Sequence, residues 1–122
     1  MQAVSIHIVD VANGVVATGM RVDIARQDGA AGTPTWAPVV SGKVGRNGVV
    51  DGIEGQERLF DMGVYELRLY VGDYYRARGV TLPEPVFQDV QVFRFGIADP
   101  SQHYHLPIKF TPWGLSCFRG AA

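Results

Sequence analysis

The amino-acid sequence predicts an all-β fold, a β-sandwich of about eight short strands with one short helix. Apolar and polar residues alternate in several short runs, as in strands that bury one face. Glycine (15 residues) and proline (7 residues) punctuate the chain between these runs. The length of 122 residues suits one hydrophobic core, so we interpret residues 1–122 as a single domain.

The first half of the chain carries four predicted strands, at residues 3–9, 20–26, 36–44 and 49–50. In the first strand Ser5 and His7 alternate with apolar residues, which puts both polar side chains on one face. Residues 10–19 are interpreted as a turn region. Asn47-Gly48 is the strongest short hairpin signal in the chain, and it joins the third strand to the fourth.

The second half carries the helix and four more strands, predicted at residues 63–71, at 88–97, in the run that contains both His103 and His105, and at 115–118. The helix is expected at residues 72–79, with Asp73 as N-cap and Gly79 as C-cap. The last two strands form a hairpin, because Thr111-Pro112-Trp113-Gly114 carries the Pro and Gly of a turn.

The histidines and the single cysteine are the residues best suited to chemistry. His103 and His105 lie two apart on a strand, so their side chains should point the same way. They could be structural, could share a metal ion with His7, or could act as acid and base. No carboxylate or cysteine at ligand spacing supports a metal, so we expect neither a metal nor another cofactor. Cys117 is interpreted as structural.

Composition excludes several functional classes. The formal net charge is -1, without a basic excess, which argues against nucleic acid and anionic membranes as partners. No apolar run is long enough to span a membrane, and the N-terminal residues lack the features of a signal peptide. A single cysteine suits a reducing compartment. We therefore expect a cytoplasmic protein that binds neither nucleic acid nor membranes.

Six motifs lie at the two ends and in the middle of the chain: Ser5-Ile6-His7-Ile8-Val9-Asp10, Gly63-Val64-Tyr65, Tyr74-Tyr75, His103-Tyr104-His105-Leu106-Pro107, Pro112-Trp113-Gly114 and Phe118-Arg119-Gly120. Together they resemble the transthyretin-related 5-hydroxyisourate hydrolases. The resemblance implies a transthyretin-like sandwich of two four-stranded sheets. It also implies a homotetramer with active sites in a central channel. The implied partner is a small-molecule substrate, 5-hydroxyisourate, whose six-membered ring is opened by hydrolysis.

The resemblance assigns site residues by position. It makes His7 and His105 the catalytic pair and places the substrate against Val49, Phe118, Arg119, Gly120 and Ala121. Three of these positions depart from the family pattern: Val49 replaces an arginine, Phe118 a tyrosine and Ala121 a serine. Each departure replaces a polar side chain with an apolar one.

Three functions follow from the resemblance and its departures. The apolar changes favour a hydrolase for an N-methylated 5-hydroxyisourate, such as the trimethyl compound formed from caffeine. Burial of a methyl group against apolar side chains would stabilise the bound substrate. The second interpretation is an ordinary 5-hydroxyisourate hydrolase of urate catabolism. The third is a catalytically silent, transthyretin-like ligand-binding protein.

Overall fold

A computed structural model describes residues 4–29, 35–53 and 60–120. Within these residues the chain forms eight strands and one helix. The elements are β1 (Val4–Asp10), β2 (Val15–Val16), β3 (Arg21–Asp28), β4 (Thr35–Lys43), β5 (Gly63–Tyr70), α1 (Val71–Ala77), β6 (Val90–Ile97), β7 (Tyr104–Thr111) and β8 (Gly114–Cys117). Ala3, the first residue of the first predicted strand, lies outside the described residues.

The strands form two four-stranded sheets, in the orders β2-β1-β7-β8 and β4-β3-β5-β6. The predicted all-β sandwich with one short helix is therefore confirmed. β1 and β7 pair in parallel, which joins the first and seventh strands of the described chain side by side. The other strand pairs within the described residues are antiparallel.

The hydrophobic core lies between the two sheets. Along β1 burial alternates strictly, so that Ile6 and Ile8 point into the core while Ser5 and His7 point outward. β7 follows the same rule, with Leu106 buried between two outward residues. In the described part of the chain, no helix is both long and apolar enough to cross a membrane.

Two predictions about short strands were wrong. Residues 10–19 were expected to be a turn, yet Val15–Val16 form β2, which pairs with the end of β1. Residues 49–50 were expected to be a strand, yet they form only isolated bridges, from Val49 to His7 and from Val50 to Val44. Two-residue pairings are too short to leave an alternating pattern, so their partners cannot be inferred from the sequence.

The helix was predicted with the wrong caps. Its N-cap is Tyr70, whose side chain makes no capping hydrogen bond, and Asp73 lies in the first turn. The C-cap is Arg78, and Gly79 follows it with a φ of +79°, which is the left-handed conformation common just after a helix. β5 runs directly into the helix, so its last residue, Tyr70, is the N-cap, and tyrosine is not one of the residue types that cap helix N-termini.

A buried carboxylate joins β1 to the helix. Asp10 is fully buried and accepts hydrogen bonds from the hydroxyls of Tyr74 (3.0 Å) and Tyr75 (2.7 Å), and from the side-chain amide of Asn13 (2.7 Å). Burial alone would raise the pKa of Asp10, but the hydrogen bonds from Asn13, Tyr75 and Tyr74 outweigh it and lower that pKa. Burial and the hydrogen bond to Asp10 raise the pKa of Tyr74 to about 12.

Replacing Asp10 with Asn should reduce the free energy of unfolding by about 2–4 kcal/mol at pH 7, because an amide cannot accept all of these bonds and buries an NH₂ group against donors. Since the pKa of Asp10 is lowered by folding, its stabilisation is present above the ordinary carboxyl pKa of about 4 and is lost as the pH falls through the folded value. The loss caused by Asp10→Asn should therefore shrink below pH 4. Urea denaturation between pH 3 and pH 7 measures both effects.

Asp51→Asn is the matched control, because it removes a carboxylate from an exposed position. Its effect should stay within about 0.5 kcal/mol. Equal losses in the two variants would contradict the role assigned to the buried carboxylate.

Candidate functional site

The outward face of β1 and β7 carries the histidines that the sequence singles out. In the parallel register Ser5 lies opposite His105, and His7 lies opposite Pro107. His7 and His105 are therefore diagonal neighbours on one face, with Cα atoms roughly 8 Å apart from strand geometry alone. Both side chains are half-buried, so they are accessible from outside the sandwich.

The hydroxyl of Ser5 connects His105, which lies on β7, with His103, which immediately precedes that strand. Oγ of Ser5 lies 2.7 Å from Nδ1 of His105 and 2.8 Å from Nε2 of His103. These contacts confirm that His103 and His105 point the same way. The three side chains form one hydrogen-bonded chain across the β1–β7 pair.

His7 is held by the hairpin that contains Asn47-Gly48. Nε2 of His7 donates a hydrogen bond to the carbonyl oxygen of Asn47 at 3.1 Å. A carbonyl oxygen only accepts, so Nε2 carries the proton and the neutral ring keeps its lone pair on Nδ1. Gly48 packs against the same ring with a φ of +82°, and a Cβ there would lie only 2.6 Å from Nε2 of His7.

Val49 follows this turn and forms an antiparallel bridge with His7. Directly opposed residues in an antiparallel pair share one face of the sheet, so the side chain of Val49 lies beside that of His7. The position where the resembled family has an arginine thus adjoins a histidine. In this chain the side chain at that position, next to His7, is apolar and half-buried.

The C-terminal segment lies against the β7 histidines. The backbone N–H of Gly120 donates to the carbonyl of His105 at 2.6 Å, and a Cβ on Gly120 would lie 3.1 Å from Cδ2 of His105. Nη2 of Arg119 donates to Oε1 of Gln102 (3.0 Å) and to the carbonyl of His103 (3.2 Å). The Arg119 guanidinium also lies 3.9 Å from the ring centre of Tyr104. This segment therefore fixes the backbone on both sides of Tyr104.

Phe118 and Ala121 are two further residues predicted to belong to the site. Phe118 is exposed, with 55% of its surface accessible. Ala121 lies outside the described residues. Contact between substrate and Phe118, Arg119, Gly120 or Ala121 stays a prediction.

The other potentially reactive groups in the described part of the chain do not form a second candidate active site. Burial raises the pKa of Cys117 to about 11, so this thiol is protonated at neutral pH and is a poor nucleophile. No group of three or more His, Cys, Asp or Glu side chains among the described residues is arranged to hold a metal ion.

Sequence reasoning missed two contributors to the site. The hydroxyl of Ser5 and the carbonyl of Asn47 each bind a histidine ring. Alternation places Ser5 on the same face as His7, but only the β1–β7 register shows that it faces His105. A backbone carbonyl such as that of Asn47 leaves no trace in residue type.

Comparison with known proteins identifies the family. Residues 4–120 match the HIUase/Transthyretin family. The chain is 38% identical over 115 residues to "5-hydroxyisourate hydrolase 2" of Rhizobium meliloti, covering 94% of this chain and 92% of that protein. It is 37% identical over 121 residues to "5-hydroxyisourate hydrolase" of Pseudomonas aeruginosa, covering 99% and 93%.

A solved structure supports the fold alone. The chain superposes on sea bream transthyretin, solved in complex with thyroxine, with a TM-score of 0.83 at 18% identity. The match covers 98% of this chain and 96% of that one.

Gly48→Ala tests whether the Asn47-Gly48 turn holds His7. The new methyl group would clash with the imidazole and with Val16, and it would also occupy a left-handed backbone position. We expect a loss of about 2–4 kcal/mol in the free energy of unfolding and a shift of the His7 imidazole signals in the NMR spectrum. Urea denaturation and ¹H–¹⁵N NMR spectra provide these two measurements.

Gly14→Ala is the matched control. Gly14 also has a positive φ (+68°), but no atom lies within 4 Å of the point that an added methyl group would occupy. It should lose only about 1 kcal/mol, from backbone strain, and leave the His7 signals unchanged. Identical behaviour of the two variants would show that Gly48 does not position His7.

Proposed function

Because the chain belongs to the HIUase/transthyretin family, we propose that it is a hydrolase that opens the six-membered ring of 5-hydroxyisourate. The relatives named above are 5-hydroxyisourate hydrolases and match nearly the whole chain. They favour this substrate over the N-methylated one that the apolar substitutions suggested. The relation to transthyretin is one of fold, so it gives the ligand-binding alternative no further support.

The single observation that carries this proposal is the placement of His7 and His105 on one face through the β1–β7 register. Ring opening needs a water molecule to attack a ring carbonyl while it loses a proton. A C–N bond then breaks, and the leaving nitrogen takes up a proton. A neutral imidazole can accept the proton of the water, and the imidazolium that forms can then donate a proton to the leaving nitrogen near neutral pH.

The tetrahedral intermediate of this reaction carries negative charge on oxygen, which hydrogen-bond donors must stabilise. With Val49 beside His7, no guanidinium acts from that position. The described hydrogen bonds of Arg119 both come from Nη2, so its other nitrogens remain as donors for a substrate carbonyl. We assign Arg119 to substrate binding on this basis, and the family resemblance extends this assignment to Phe118, Gly120 and Ala121.

The family resemblance also leads us to propose that the protein is a homotetramer, and its single cysteine favours a cytoplasmic location. The outward face that carries His7 and His105 is open in one protomer. A second protomer facing it would complete a channel and exclude bulk water from the reacting groups.

His7→Ala and His105→Ala should each lower kcat by about 100- to 10,000-fold, the usual contribution of a positioned acid or base. 5-Hydroxyisourate is generated in situ by enzymatic oxidation of urate, and its ring opening is followed by ultraviolet absorbance. Light scattering after size-exclusion chromatography should give a tetramer mass for wild type and variants alike.

His7→Gln separates chemistry from structure. A glutamine amide keeps a donor for the carbonyl of Asn47 but cannot accept a proton at neutral pH. It should fold like wild type and be as slow as His7→Ala. Near-normal turnover in all three variants would place catalysis elsewhere, and a monomeric wild type would remove the channel.

A second candidate substrate is an N-methylated 5-hydroxyisourate, and the bridge between Val49 and His7 is the observation that favours it. A polar ligand edge against this valine would lose a hydrogen-bond partner, which costs about 1–3 kcal/mol. A methyl group at the same edge would gain about 0.8 kcal/mol on burial. Methylxanthine degradation, including that of caffeine through trimethyluric acid, would supply such a compound.

Val49→Arg should raise kcat/KM for the unmethylated substrate, relative to the trimethylated one, by about fivefold or more. The physical reason is that the arginine would offer donors to a polar edge and fill the space available to a methyl group. Both substrates are generated from the corresponding urates and assayed by absorbance.

Val80→Arg is the control, since it adds an arginine at an exposed position just beyond the helix. It should leave the ratio unchanged. A wild-type preference for the unmethylated substrate would exclude the second candidate.

A further inference from the structure

The Ser5 hydroxyl contacts two imidazoles at once, and a hydroxyl has only one proton to donate. Its Oγ is within hydrogen-bond distance of Nδ1 of His105 and of Nε2 of His103. If Ser5 donates to one ring, the other ring must donate to Ser5 for both bonds to form. The direction of these two hydrogen bonds therefore decides which nitrogen of His105 carries a proton.

Two arrangements with neutral rings form both contacts and also give the Ser5 proton an acceptor among the described residues. In the first, His105 donates from Nδ1 to Ser5, and Ser5 donates to Nε2 of His103. In the second, Nε2 of His103 donates to Ser5, and Ser5 donates to Nδ1 of His105. Only the first leaves Nε2 of His105 unprotonated, which is the state that a base requires.

We propose that Ser5 and His103 are positioning residues that hold neutral His105 with its proton on Nδ1, so that Nε2 serves as the base that takes the proton from water. This inference rests on the proposed function. It gives His103 the role of acceptor for the Ser5 proton, in a series of hydrogen bonds that runs from His105 through Ser5. Neither residue contacts the reacting atoms, since both act through the far side of the His105 ring.

The C-terminal segment holds the backbone at His103 and His105 in place. The carbonyl of His103 accepts a hydrogen bond from Arg119, and that of His105 accepts one from the N–H of Gly120. Between them Tyr104 is buried, and its hydroxyl oxygen accepts bonds from the N–H groups of Ala98 and Asp99, both at 3.2 Å. The backbone at His103 and His105 is thus held in place, and the β1–β7 register sets Ser5 opposite His105.

The same reasoning assigns a different state to His7. Its Nε2 donates to the carbonyl of Asn47, so a neutral His7 has its lone pair on Nδ1. The two histidines therefore present opposite nitrogens as acceptors. This asymmetry lets one ring act as base while the other orients the water or the substrate.

Substitutions at position 103 separate the two arrangements. His103→Gln retains an acceptor for the Ser5 proton and should keep kcat within about fivefold of wild type. His103→Lys offers only donors, which forces Ser5 to donate towards His105, and it should lower kcat by about 10- to 100-fold with little change in KM. Equal rates in these two variants would overturn the proposed direction.

Ser5→Ala should also lower kcat by about 10- to 100-fold, and Ser5→Thr should restore most of it because threonine keeps the hydroxyl. Ser116→Ala is the matched control, since Ser116 is an exposed serine on β8 of the same sheet. It should leave kcat unchanged. A normal kcat in Ser5→Ala would show that the hydroxyl does not position His105.

The tautomer can be measured without any substrate. Long-range ¹H–¹⁵N NMR spectra of the full-length protein, with His7→Gln and His103→Gln used for assignment, distinguish an Nδ1 proton from an Nε2 proton on neutral His105. We expect the Nδ1 form in wild type and a mixture in Ser5→Ala. An Nε2 proton on wild-type His105 would overturn the inference even if the enzyme opens 5-hydroxyisourate, whereas an inactive wild type with the Nδ1 form would overturn only the proposed function.

Discussion

The parallel pairing of β1 with β7 is the interaction on which the site depends. It aligns seven residues of each strand in unbroken register, from Val4 opposite Tyr104 to Asp10 opposite Phe110. A shift of one residue would turn every side chain of β1 to the other side of the sheet, moving His7 into the core and Ile6 into solvent. Burial of the apolar face therefore specifies the site as strictly as it specifies the fold.

β1 performs two tasks because its side chains alternate. Its inward face contributes to the core and ends in Asp10, which binds the helix through two tyrosine hydroxyls. Its outward face carries Ser5 and His7. A strand held at one end by a buried carboxylate and along its length by β7 is a rigid support for groups whose hydrogen bonds must be accurate to a fraction of an ångström.

Alternation was sufficient to predict the longer strands and the face on which His7 lies, because a period of two is visible in seven or eight residues. It was not sufficient for β2 or for the bridges at Val49 and Val50, which depend on tertiary pairing. The proximity of His7 and His105 came from family resemblance, since no local pattern specifies which distant strands pair. The contact between Ser5 and His105 needed the register itself.

Position 49 occupies an unusual place between two fixed neighbours. Gly48 before it is packed on the His7 ring, and Val50 after it is buried in the core and bridged to Val44. The main chain is thus held on both sides while the intervening side chain faces outward beside a histidine. A substitution there can change the chemistry of the surface beside His7 without moving the turn. Under the proposed function, selection for substrate preference therefore has a position that is largely separate from selection for folding.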